Sequence, residues 1–145
     1  MAGMSPGRLR LLVLAALCAL VVLPNVASAA LKQFMTPSRN IGCIGDAKEV
    51  RCDIKQTTAT PPKRPASCDL EWGDAFRLNP TGKARGVCHG DTALPAPGEN
   101  RRVLAYGTTI KLGQKMRCTS RRTGLTCRSN AGHGFTLSRT VIKLF

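Results

Sequence analysis

Cysteine spacing constrains this chain more than any other feature. Cys43 and Cys52 are separated by eight residues, as are Cys118 and Cys127, while Cys68 and Cys88 lie between the two pairs. Each eight-residue interval carries turn chemistry near its middle, Gly45-Asp46 in the first and Arg122-Thr123-Gly124 in the second. Residues flanking a short hairpin turn face each other with Cβ atoms about 4.5–5.5 Å apart, close enough to bridge with slight adjustment. This pairs neighbours: Cys43 with Cys52, Cys118 with Cys127 and, by elimination, Cys68 with Cys88. Each closed loop is expected to add about 2–4 kcal/mol, mainly by restricting the unfolded chain. No C-x-x-C or C-x-x-H spacing occurs, so no metal site is expected.

Structural disulfides belong to an oxidising compartment, and the N-terminus supplies a route there. Arg8 and Arg10 form a positive start, Leu11 to Leu23 is an uncharged apolar run of 13 residues, and Ala27-Ser28-Ala29 presents a small-residue cleavage site before Ala30. A membrane-spanning helix needs roughly 20 apolar residues, so residues 1–29 read as a cleavable signal peptide rather than an anchor, and no transmembrane segment is expected after cleavage. Cys18, the seventh cysteine, follows a bulky Leu17 and sits inside the apolar run, which argues against a lipid anchor. The mature chain is then residues 30–145. It has twenty Lys and Arg against eight Asp and Glu, a formal charge of +12. A chain of this size forms one domain with a modest core, for which cross-links matter.

Helical periodicity is hard to find after Ala30, and Gly and Pro recur every few residues. Short β-prone runs recur instead: 31–34, 49–54, 75–78, 84–88, 109–112, 115–119, 125–128, 135–137 and 140–145. Val50, Cys52 and Ile54 alternate onto one face, and Asn79 to Lys83 reads as a hairpin turn. The expected fold is all-β with little helix, a small disulfide-stapled sandwich or barrel-like meander of hairpins. One helical turn is expected over 69–74, and extended connectors over 57–65 and 94–100. Phe34 to Arg39 echoes Phe135 to Arg139 with one residue deleted, which raises the prospect of two related halves.

Several motifs occur together in this order: Thr36 to Cys43, Arg51-Cys52-Asp53-Ile54, Glu71-Trp72-Gly73, Cys88-His89-Gly90-Asp91-Thr92, Tyr106-Gly107 and Gly132 to Arg139. They span nearly all of residues 34–145, and the chain resembles a family of small exported actinobacterial six-cysteine proteins of unknown function. The resemblance implies export and six cysteines and carries no catalytic residue or cofactor. Arg39 departs from it, standing where the family pattern has Gly; the turn there either tolerates a side chain or is formed differently.

Function has to be read from side-chain chemistry. The only histidines, His89 and His133, both stand next to glycines. A pair of histidines beside cations is the acid–base equipment of small secreted ribonucleases, so a hydrolase using His89 and His133 is one reading. The plain alternative places both in turns. Asp91, His133 and Ser138 do not make a convincing triad, because no G-x-S-x-G elbow precedes Ser138. Asp91 is expected to cap its own turn, and Trp72 to anchor packing. With all six mature cysteines paired, no thiol nucleophile remains.

The basic excess is the one global feature that asks for a partner. Arg121 and Arg122 fall at the tip of the 118–127 hairpin, with Arg117 and Arg128 near its base and Arg101, Arg102 and Lys115 elsewhere in the C-terminal half. On one face, Arg117, Arg121, Arg122 and Arg128 would make an electropositive finger for phosphate or carboxylate polymers. Six aromatics leave few for base stacking, which disfavours nucleic acid. The leading expectation is therefore a secreted, cell-envelope-associated binding or structural module without enzymatic activity or cofactor, contacting an anionic polymer or acidic surface. A secreted inhibitor or effector is a third reading.

Overall fold

Alternating apolar and polar side chains along short runs build two antiparallel meanders, and their apolar faces close on each other. The computed structural model describes Met1, Gly3 and residues 30–145, so the rest of the segment read as a signal peptide lies outside the described residues. In the first meander β1 (Lys32–Met35), β2 (Ile41–Gly45), β3 (Val50–Ile54), β4 (Ala75–Leu78) and β5 (Arg85–Gly86) follow one another. A further short strand, β6 (Arg102–Val103), pairs with β1 in parallel, giving the order β5-β4-β3-β2-β1-β6. The second sheet comprises β7 (Thr109–Leu112), β8 (Met116–Arg121), β9 (Gly124–Ser129), β10 (Gly134–Leu137) and β11 (Ile142–Leu144), each beside its sequence neighbour. Among the described residues there is no helix. The fold is an all-β sandwich.

Disulfides join Cys43 to Cys52, Cys68 to Cys88 and Cys118 to Cys127. The first and third link directly opposed residues of a hairpin, with Cα atoms 4.1 and 4.0 Å apart. Both are fully buried, and Cys52 Sγ lies 3.9 Å from Cys127 Sγ across the sandwich. Each bridge sits in the middle of a ladder row. Phe34, Cys43, Cys52 and Phe76 are aligned in the first sheet, and Ile110, Cys118, Cys127 and Phe135 in the second. Phe76 and Phe135 meet with ring centroids 6.4 Å apart. The centre of the core is thus two disulfides facing each other between aromatic walls. A small domain short of apolar surface gains from replacing bulky side chains there with covalent cross-links.

The two halves therefore repeat as architecture: strand, cysteine hairpin, strand, strand. The peptide echo aligns them differently. Phe34 lies beside the first cysteine of its hairpin, whereas Phe135 lies beside the second of its own, so the Phe-to-Arg similarity does not mark equivalent strands.

One local expectation changes, and one open alternative is decided: the turn at Arg39 tolerates a side chain. Residues 69–74 form no helical turn; Glu71 bridges to His89 in extended conformation. The Cys68–Cys88 bond holds this segment beside the chain leaving β5. Trp72 Nε1 donates to Pro62 O at 2.8 Å, and its ring covers Gly86 closely enough that a Cβ there would meet it at 2.6 Å. Those ties outweigh weak local helix preference. The β1–β2 turn is built with Arg39 at φ 56°, left-handed backbone that glycine adopts more easily.

A basic, threonine-ribbed face on the second sheet

Strand alternation decides which side chains leave the core. On the second sheet Ile110, Leu112, Met116, Cys118, Leu125, Cys127, Phe135 and Leu137 point inward and are buried. The residues between them point outward, and the register sorts them into rows. One row runs Thr109, Thr119, Thr126, Thr136, Lys143 across all five strands. Its hydroxyls pair off, Thr109 with Thr119 at 2.8 Å and Thr126 with Thr136 at 2.9 Å. The neighbouring row runs Lys111, Arg117, Arg128, and Arg121 flanks the threonines on the other side. Arg117, Thr119, Arg121, Thr126 and Arg128 enclose a shallow depression of about 210 Å³.

Among the described residues no acidic side chain answers these cations. All eight acidic residues lie between Asp46 and Glu99, so residues 100–145 contain ten Lys and Arg and no carboxylate side chain. Among the described residues, Lys111, Arg117, Arg121, Arg128 and Lys143 form no ion pair. Like charges directly opposed across strands repel, and Arg117 has a cation opposite it on both sides.

The first sheet treats equivalent positions differently. Gly42 and Asp53, next to its disulfide, correspond to Arg117 and Arg128 in the second sheet. There the chain folds back over its own face. A Cβ on Gly42 would stand 2.8 Å from Ala93 O and 2.9 Å from Leu94 Cα, and Asp53 is 1% exposed. Asp53 accepts from Ala93 N at 2.7 Å, from Thr92 Oγ1 at 3.1 Å and from Arg51 through both oxygens at 2.9 Å. Arg51 also donates to the Asp91 carboxylate at 2.7 Å. This hydrogen bond holds the Asp91 carboxyl below the usual carboxylate range. Arg77, opposite Arg51, has Glu49 at 3.6 Å. Every cation on this row that faces another has a carboxylate, except Arg85 at the edge.

The remaining candidate residues are dispersed. Arg122 lies in the β8–β9 turn, off the outer face, with its guanidinium 5.1 Å from the Tyr106 ring centroid. Arg128 lies over Phe145 at 5.0 Å while still lining the depression. Arg101 is bound to Glu99 and belongs to the loop that covers the first sheet. His89 is 7% exposed, and both its ring nitrogens face acceptors, Asp91 O at 2.6 Å and Asp74 Oδ1 at 2.8 Å. Burial works against the charged ring, but the Asp74 carboxylate and the Asp91 carbonyl outweigh it and raise the pKa above the usual histidine value. His133 lies in the β9–β10 turn of the other sheet, where its carbonyl accepts from Ser129 N. The Asp91 carboxylate serves Arg51, and Ser138 Oγ accepts from Thr140 N at 3.3 Å. No shared hydrogen bond links the two histidines, or Ser138 with His133 and Asp91. The sulfurs of Cys52, Cys118 and Cys127 lie within 4.8 Å of one another, but in disulfides they offer no thiolate to a metal.

The threonine row, Lys111 and Lys143 were not among the residues singled out from the sequence. Their signal was there, in the alternation Thr109-Ile110-Lys111-Leu112 and Arg117-Cys118-Thr119, and in the absence of acid beyond Glu99.

The model of a family of unknown function, DUF6636, matches residues 15–145, and the chain belongs to that family. No curated protein and no solved structure matches it.

Proposed function

We propose that this member of DUF6636 is a secreted, envelope-associated binding module that holds an anionic polymer along the outer face of its second sheet. The observation that carries this reading is the uncompensated row Lys111, Arg117, Arg128 beside the threonine row, in a segment without a single acidic side chain. Folding alone gives no reason to oppose three cations directly. A polyanion lying across the strands would neutralise them and use the threonine hydroxyls as hydrogen-bonding partners. Three disulfides in a chain with an apolar, arginine-led start support export. No observation favours hydrolysis, since His89 has both ring nitrogens engaged.

The test is retention of the folded domain on a heparin matrix across a salt series. Elution should move to distinctly lower salt in the triple variant Arg117→Gln, Arg121→Gln, Arg128→Gln. A control triple, Lys48→Gln, Lys63→Gln, Lys83→Gln, removes the same charge from exposed positions elsewhere and should elute close to the parent. Equal shifts in both triples would show that net charge alone governs retention, and the reading would fall.

A further inference from the structure

A second basic cavity, of about 380 Å³, opens at one end of the sandwich where the β1–β2, β8–β9 and β10–β11 turns converge. Arg121, Arg122 and Arg139 line it together with Ser38, Ser138 and Thr140. No carboxylate lines it. Among the described residues Arg121 and Arg122 make no ion pair, and the Arg139 side chain has only a long hydrogen bond, 3.5 Å, to Gln56 Oε1. Arg121 also borders the depression on the outer face, so the two basic surfaces meet at this residue.

We infer that this cavity is a discrete site for one compact oxyanion, a phosphate group carried on a hydroxylated carbon chain. Resting on the proposed function, this deepens it: the face takes the length of an anionic polyol or sugar polymer, and the cavity takes its phosphorylated end. Three arginines around one half-open cavity suit a group with several acceptor oxygens better than a single carboxylate. The surrounding hydroxyls match a polyol, since each can both donate and accept. The floor is firm as well. Thr57 Oγ1 and Thr58 N bond the Arg139 carbonyl at 3.2 and 2.7 Å, and Thr36 N bonds Ile41 O at 2.9 Å. Arg139 is therefore presented from a tied turn, which lowers the ordering cost of binding.

Glycerol 3-phosphate and glycerol are the probes, titrated into labelled protein and followed by amide chemical shifts. Saturable shifts should appear for glycerol 3-phosphate over residues 38–40, 122–124 and 138–140, with none for glycerol. Arg139→Gln, an exposed side chain away from the outer face, should weaken this binding at least tenfold yet leave heparin retention unchanged. Arg117→Gln should do the reverse. Shifts that do not saturate, or that follow Arg117 instead of Arg139, would overturn the cavity assignment while leaving the polymer face standing. Loss of heparin selectivity with intact glycerol 3-phosphate binding would overturn the face and its link to the cavity together.

Discussion

If the outer face of the second sheet is built for a ligand at the expense of folding, neutralising its central cation must stabilise the free protein. Arg117 stands between Lys111 and Arg128, opposed to a cation on each side. If their head groups stand about 6 Å apart, near the spacing of directly opposed side chains, each repulsion in a dielectric near that of water costs about 0.7 kcal/mol before screening. Two pairs give roughly 1.2 kcal/mol at 10 mM salt, where the Debye length is about 30 Å. At 150 mM, where it is about 8 Å, roughly half remains. Arg117→Gln keeps much of the side-chain stem and deletes the charge. Its urea unfolding free energy should exceed the parent's by about 1 kcal/mol at 10 mM salt, with the gain falling by half at 150 mM. Urea suits the assay because it adds no ions. Arg121→Gln is the internal control, since Arg121 faces Gly124 and not a cation; its stability should barely move. A destabilised Arg117→Gln, or a gain indifferent to salt, would refute the claim that these charges conflict.

Two further outcomes follow from the first sheet. His89 has its folded pKa raised, so its protonation adds stability that is fully present below the unfolded value of about 6.5 and is lost as pH rises through the folded value; urea midpoints should fall over that window in the parent, and His89→Gln should abolish the slope. At Gly42, Val substitution would push a side chain into Ala93 O and Leu94 Cα; it should cost about 1–3 kcal/mol and expose the loop around residues 91–101 to limited proteolysis.

Much of the fold could be read before the structure, for physical reasons that also explain the failures. The hairpin at 118–127 announces itself twice, through its cysteines and through the alternation of Arg117, Thr119 and Arg121 with buried neighbours. The stretch 69–74, with its single bridge at Glu71, gave no such signal. Its conformation is set by a disulfide partner twenty positions away and by a tryptophan seated on Gly86, contacts that local propensity does not encode. β6 was invisible because two exposed residues have no periodicity; they are a strand only because the chain returns alongside β1. At the candidate face, Arg117, Arg121 and Arg128 were legible as a cluster. That Arg122 leaves it depends on turn geometry and the Tyr106 ring. Asp53 and Asp91 could not be assigned from sequence, since their partner Arg51 is meaningful only once residues 91–93 lie across β3.

The lack of acidic side chains after Glu99 has a consequence for how the protein responds to its surroundings. Residues 30–99 carry ten Lys and Arg against eight Asp and Glu, a balance of +2, whereas residues 100–145 carry ten against none, a balance of +10. Charge is therefore polarised along the chain and between the two sheets. A negatively charged body would turn the second sheet toward itself before any contact forms.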